Sequence, residues 1–175
     1  MRNEIWKRFK VWKLLPWFVL ALLIVILDQW SKLAISDYVQ THGPIIIIEN
    51  YFSLIYVRND GAAFGFLSSA SGWQRYFLAG FAILVCIWLI HMLFKFYHNR
   101  LTCLALSFVL GGAIGNIIDR VRAGSVIDFI NWHIYDWHFP TFNIADIGIT
   151  VGVALLLIEA FLVSRETKRA RRQST

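Results

Sequence analysis

The sequence predicts a mainly α-helical membrane protein with four transmembrane helices, plus a small β-sheet and a short interfacial segment on the outer face. Of its 175 residues, 58% are hydrophobic and 16% are charged, against about 45–50% and about 25% in soluble domains. The apolar residues are grouped in blocks of about 20, the length that crosses a hydrocarbon core of roughly 30 Å. Basic residues are concentrated at the ends of these blocks. We expect a single membrane-embedded domain over residues 1–175.

Four apolar blocks define the predicted transmembrane helices. They run from about Leu14 to Ile35, Tyr76 to Phe94, Leu101 to Asp119 and Ile144 to Val163. The third and fourth blocks each contain a Gly-x-x-x-Gly spacing, which lets helix backbones approach closely. We therefore expect tight packing between helices three and four.

The distribution of basic residues predicts the orientation of the chain. Twelve of the 17 lysines and arginines lie before the first helix, after the last helix, or in the loop between helices two and three. The positive-inside rule then places both termini, about 1–13 and 164–175, in the cytoplasm. We assign the net charge of +6 to orientation and contact with membrane lipid, not to nucleic acid.

Two stretches are expected to face outward. Residues 36–75 contain two β-rich runs, Ile45 to Ile48 and Tyr51 to Val57, followed by a turn signal at Asn59-Asp60-Gly61. They predict a small sheet on the outer membrane surface. The second stretch, Arg120 to Phe142, is rich in aromatic residues suited to the headgroup region. It predicts a half-buried amphipathic segment along the interface.

Four aspartates are predicted toward the outer half of the bilayer, where burying a charge costs roughly 2.5–3.5 kcal/mol. Two have simple structural explanations. Asp28 and Lys32 have the i, i+4 spacing of a helix ion pair, and Asp119 precedes two arginines with which it could pair. The other two are Asp128 and Asp146.

The pair Asp128 and Asp146 is the strongest candidate for chemistry. Asp128 stands in the apolar run Val-Ile-Asp-Phe-Ile, where loss of solvation would raise its pKa. Asp146 lies three residues after Asn143, an arrangement that also predicts a helix cap. Two carboxylates at an apolar interface share one proton, and such a pair can activate water and polarise a peptide carbonyl.

Other functions compete with this hypothesis. A metal site at His133, Asp136 and His138 matches no strong zinc spacing, and we expect no metal or cofactor. A small transporter or channel would need polar residues at mid-membrane depth in several helices, yet helix two carries no Asp, Glu, Lys or Arg between Tyr76 and Phe94. A non-enzymatic membrane assembly factor would not require Asp128 or Asp146.

Five short blocks, in order along the chain, resemble the bacterial lipoprotein signal peptidases (signal peptidase II). They are DQWSK at Asp28–Lys32, NDGAAF at Asn59–Phe64, GAIGNIIDR at Gly112–Arg120, VIDF at Val126–Phe129 and FNIAD at Phe142–Asp146. The resemblance covers the chain from about Leu14 to Val163. It implies an intramembrane aspartic endopeptidase of the bacterial cytoplasmic (inner) membrane, with its active site toward the outer, periplasmic face.

The resemblance also implies a substrate and a set of site residues. The substrates would be prolipoproteins cleaved just before a cysteine that carries diacylglycerol. The catalytic dyad maps onto Asp128 and Asp146, and the connection after Arg120 would contribute a mobile flap. We expect a monomer. The implied substrate-binding and supporting residues are Asp28, Lys32, Asn59, Gly61, Ala62, Phe64, Asn116, Asp119, Arg120 and Asn143.

Overall fold

The computed structural model describes residues 2–61 and 72–173, and within these it contains four helices long and apolar enough to cross a membrane. They are α1 (Arg2–His42), α2 (Gln74–Lys95), α3 (Arg100–Ala123) and α4 (Ile144–Gln173). The four predicted spans are confirmed. Helices α1 and α4 extend well beyond the apolar blocks, because the charged ends contain no helix-breaking residue. Helix α1 stops at Gly43, which has a φ of 86° and is followed by Pro44, a strong stop signal.

Helix α3 is central, since α1, α2 and α4 all pack against it. Its glycines allow close approach of α4, as the Gly-x-x-x-Gly spacing predicts. A Cβ atom at Gly112 would overlap the carbonyl oxygen of Ala145, and one at Gly152 would lie 2.6 Å from the carbonyl oxygen of Ala105. The C-terminal half of α3 is therefore held directly against the first turn of α4.

One end of the helix bundle, the end predicted to face outward and here called the outer end, carries in its described residues a four-stranded antiparallel sheet in the order β1-β2-β3-β4. The strands are β1 (Ile45–Ile48), β2 (Phe52–Asn59), β3 (Val126–Ile134) and β4 (Trp137–His138). The first two confirm the predicted small sheet. For the stretch from Arg120 to Phe142 the sequence predicts only an amphipathic interfacial segment, and the structure differs by adding two strands. Strand β3 forms because β2 pairs with it on both sides of a register shift between Leu54 and Val57, and polar backbone groups at an apolar boundary require such partners.

Pairing with the sheet also positions the start of α4. The carbonyl oxygen of Phe142 accepts hydrogen bonds from the backbone N–H groups of Phe129 (3.1 Å) and Ile130 (2.9 Å), and Phe142 N–H donates to the Ile130 carbonyl oxygen (3.2 Å). The residue after Phe142 is Asn143, which therefore lies beside the strand that carries Asp128.

Candidate active site

Asp128 lies on β3 at the point where this strand pairs with the end of β2, and it is 2% exposed. Its two carboxylate oxygens accept hydrogen bonds from side-chain amides. Asn59 Nδ2 donates to Oδ2 (3.0 Å) and Asn143 Nδ2 donates to Oδ1 (2.7 Å). Burial raises the pKa of Asp128 from 3.8 to about 6; the Asn59 hydrogen bond opposes this rise, and the charge of Asp146 adds to it. The direction of this shift agrees with the one that the apolar sequence around Asp128 predicts.

Asp146 occupies the first turn of α4 and forms the predicted cap with Asn143. Asp146 N–H donates to Asn143 Oδ1 (3.0 Å), and Asn143 N–H donates to Asp146 Oδ2 (3.1 Å). These reciprocal bonds form a capping box. The other carboxylate oxygen, Oδ1, accepts from Asn116 Nδ2 on α3 (2.9 Å). The carboxylate of Asp146 thus caps the helix and is also fixed by α3.

Asn143 connects the two aspartates. It is fully buried, and its side-chain amide donates to Asp128 while its backbone N–H donates to Asp146. Two carboxylates from β3 and α4 are therefore bonded to the same residue at the outer end of the bundle. The convergence predicted from helix direction is found in the structure.

A buried charge cluster, formed by Asp28, Lys32 and Asp119, lies directly behind this pair. Lys32 is 1% exposed, and its Nζ lies 2.8 Å from a carboxylate oxygen of Asp28 and 2.8 Å from one of Asp119. Its third partner is Asn116 Oδ1, at 2.9 Å. The amide of Asn116 therefore joins Lys32 on one side to Asp146 on the other.

The predicted ion pair between Asp28 and Lys32 is confirmed, but the prediction for Asp119 is wrong. Among the described residues, the ion pair of Asp119 is with Lys32 and not with Arg120 or Arg122. Successive helix residues point about 100° apart, so Arg120 faces away from Asp119. Its guanidinium donates instead to the carbonyl oxygens of Asn116 (3.4 Å) and Gly61 (3.2 Å).

The loop after β2 is attached to the site through Arg120 and Asn59. Gly61 N–H donates to Asn59 Oδ1 (3.1 Å), which confirms the predicted turn as an Asx-type turn. Asn59 therefore contacts Asp128 with its amide nitrogen and holds the turn with its oxygen. Ala62 and Phe64, which the family resemblance places in the substrate-binding region, lie outside the described residues.

Sequence reasoning missed two contacts of the site. Asp28 Oδ1 accepts the backbone N–H of Ala145 (2.9 Å), so a side chain on α1 also caps α4. Gln29 Nε2 donates to Asp119 Oδ1 (2.9 Å) and to the Gly115 carbonyl oxygen (3.2 Å). The one feature of the sequence that points to Gln29 is its place in the DQWSK block. The contact to Ala145 has no local signature, since 117 residues separate the partners.

The alternative metal residues lie away from the aspartate pair, on the β3–β4 hairpin. The rings of His133 and His138 stack with centroids 4.9 Å apart, and His138 Nδ1 lies 3.1 Å from Asn131 Oδ1. Asp136 is exposed in the turn between the two strands. This arrangement is a cross-strand aromatic pair.

Comparison with known proteins assigns the family. The family model described as signal peptidase (SPase) II matches residues 20–162. The chain belongs to the signal peptidase II family. Relatives named lipoprotein signal peptidase include one from Cupriavidus necator, 43% identical over 158 residues that cover 90% of this chain and 86% of the relative. Another, from a Janthinobacterium species, is 46% identical over 146 residues, which cover 83% of this chain and 88% of the relative.

Solved structures agree with this assignment. Two structures of bacterial membrane enzymes are 34% and 35% identical to this chain, with TM-scores of 0.72 and 0.71. They cover 87% and 83% of this chain, which in turn covers 91% and 92% of theirs. Signal peptidase II is a protease of signal-peptide processing. This member is a bacterial multi-pass membrane enzyme with four apolar helices.

Proposed function

We propose that this signal peptidase II is an intramembrane aspartic endopeptidase that removes the signal peptide from diacylglyceryl-modified prolipoproteins, cutting just before the lipidated cysteine. The observation that carries the proposal is the bonding of Asp128 and Asp146 to one buried asparagine, Asn143, at the outer end of the helix bundle. Both carboxylates come from backbone segments fixed by the sheet and by the α3–α4 contact.

The proposed reaction uses one proton shared between the two aspartates. The ionised carboxylate takes a proton from water, whose oxygen attacks the scissile carbonyl carbon, while the protonated carboxyl group donates its proton to the carbonyl oxygen. When the tetrahedral intermediate collapses, the carbon–nitrogen bond breaks and a proton passes to the leaving amine of the cysteine. The raised pKa of Asp128, about 6, brings this carboxyl closer to the neutral range in which a general acid or base works best.

The residues behind the pair support it by fixing the orientation of Asn116. The ammonium group of Lys32 can only donate hydrogen bonds, so it requires the oxygen of the Asn116 amide. The Asn116 NH₂ group must then face Asp146. Asp28 and Asp119 hold Lys32 in place, and Asp28 additionally bonds the first turn of α4. We infer that this cluster preorganises the carboxylate of Asp146.

The proposed substrate and location follow from where the pair lies. Asp146 lies in the first turn of α4, so a peptide bond at the membrane boundary can reach it while the acyl chains of the substrate stay in lipid. With the termini in the cytoplasm, as the positive-inside rule predicts, the pair faces the periplasmic side of the inner membrane.

We propose a monomer without metal or cofactor. Ala62 and Phe64 remain proposed substrate-binding residues together with Asn59, Gly61 and Arg120.

The proposal is tested with purified protein and a prolipoprotein prepared with and without its diacylglyceryl group. We expect cleavage of the lipidated form only, seen as a gel shift, and mass spectrometry should show a product that begins with the lipidated cysteine. Equal cleavage of both forms, or cleavage elsewhere, would contradict the proposed substrate. Cleavage should continue in EDTA, and a reversible loss there would favour the metal site at His133, Asp136 and His138.

A further inference from the structure

The end of α4 carries a row of basic residues beyond its apolar part. The 20 residues from Ile144 to Val163 give about 30 Å of helix at 1.5 Å per residue, close to the thickness of the hydrocarbon core. The helix continues without a break to Gln173. Arg165, Lys168 and Arg169, here called the α4 basic row, lie about 3–9 Å beyond Val163 along the axis. That distance places them at the level of the lipid headgroups.

The α4 basic row continues the lipid-facing side of the helix. Phe161 on this side is 60% exposed. At 100° per residue, Arg165, Lys168 and Arg169 project about 40°, −20° and 80° from the direction of Phe161. All three are exposed, and the Arg165 guanidinium lies over the Phe161 ring, 5.5 Å from its centroid. The same surface that meets acyl chains therefore becomes basic where the headgroups begin.

The acidic residues of this part of α4 lie on the other side. Glu159 accepts a hydrogen bond from Asn99, the N-cap of α3, so it faces the bundle. Glu166 projects about 140° from Phe161. Among the described residues both ion pairs are made by Lys32, so no member of the α4 basic row is held in one of them. Its charge is open to the membrane.

We propose that the α4 basic row binds the phosphate groups of anionic phospholipids. A cation at the membrane surface favours an anionic headgroup by about fivefold, and arginine offers a forked set of donors that matches phosphate oxygens. In a zwitterionic lipid the choline group offsets the phosphate charge, so the row discriminates by net headgroup charge. This lipid preference is separate from the peptidase reaction at the opposite end of α4.

The test uses the full-length protein in phosphatidylcholine vesicles with trace spin-labelled phosphatidylglycerol or phosphatidylcholine. The measured quantity is the fraction of each label whose motion the protein restricts. For the wild-type protein we expect several-fold stronger association of phosphatidylglycerol, weakened by high salt. The triple variant Arg165→Gln/Lys168→Gln/Arg169→Gln should lose most of this preference. Its prolipoprotein cleavage in zwitterionic detergent should be unchanged, which also shows that it is folded.

Two matched controls separate the α4 basic row from general charge. The charge-preserving variant Arg165→Lys/Lys168→Arg/Arg169→Lys should keep the preference, as should Arg122→Gln, which removes an exposed cation at the opposite end of the bundle. Equal association of the two lipids with the wild-type protein would overturn the proposal, and so would an undiminished preference in the triple glutamine variant. Displacement of the labelled lipid by an RNA oligonucleotide would point to a nucleic acid and equally overturn it.

Discussion

Replacing Lys32 by methionine would remove the only cation described in the buried cluster with Asp28 and Asp119. Both carboxylates lie 2.8 Å from its Nζ, and Asp28 is fully buried. Removing one partner of a buried ion pair costs about 3–5 kcal/mol, because the remaining charge is left unpaired. Two carboxylates lose their partner here, so we expect Lys32→Met to destabilise the protein by at least about 3 kcal/mol.

The assay is equilibrium unfolding in mixed micelles, with prolipoprotein cleavage measured in parallel. A matched control is Lys95→Met, because Lys95 is exposed at the end of α2, and such surface changes stay within about 0.5 kcal/mol. The double variant Asp28→Asn/Lys32→Met should recover part of the lost stability, since it removes one of the two stranded charges. Wild-type stability of Lys32→Met would refute the reasoning. Normal cleavage by a folded Lys32→Met protein would show that Asn116 does not need Lys32 to orient its amide toward Asp146.

Three further predictions follow from the same contacts. Asn143→Asp can keep the cap of α4 but replaces the buried amide donor to Asp128 by a carboxylate. Cleavage should be lost and the free energy of unfolding should fall by more than about 1 kcal/mol, because buried acceptors lose their donor; normal cleavage would remove Asn143 from the site. The pKa of Asp128 is near 6 in the folded protein against 3.8 in the unfolded chain. The protonated carboxyl therefore contributes fully to the free energy of unfolding below pH 3.8, and this contribution is lost as the pH rises through 6. At pH 8 an Asp128→Asn protein should therefore be more stable than wild type, by up to about 3 kcal/mol, and equal unfolding free energies would contradict the burial argument. Gly112→Ala would drive a Cβ into the Ala145 carbonyl and should reduce both stability and cleavage, whereas Gly80→Ala, with no atom within 4 Å, should change neither.

The sequence predicted those features whose partners are close along the chain or depend on composition alone. The four spans follow from apolar block length, the Asp28–Lys32 pair from an i, i+4 spacing, and the cap of Asp146 by Asn143 from a three-residue spacing. Each of these is confirmed. The aspartate pair could be proposed because the alternating direction of the four predicted spans places both residues toward the same side of the membrane.

The features that the sequence did not predict depend on how distant elements align. Asp119 pairs with Lys32 because of the rotational register between α1 and α3, and that register is set by side-chain packing along both helices. Strand β3 depends on β2, and paired residues of the two strands are at least 67 positions apart in the sequence. The sequence of β3, Val126–Ile134, lacks a clean alternation of apolar and polar residues. Without a partner, such a segment is indistinguishable from an amphipathic interfacial stretch.

The central claim is that Asp128 and Asp146 together carry out peptide hydrolysis, and single-turnover cleavage by Asp128→Asn and Asp146→Asn tests it most directly. General acid–base catalysis typically contributes 10²–10⁴-fold, and loss of either member should reduce the rate by at least about 10²-fold in proteins that remain folded and bind substrate. The matched control is Asp136→Asn, an exposed aspartate in the turn between β3 and β4, and this variant should cleave at the wild-type rate. Substantial cleavage by either dyad variant would contradict the account.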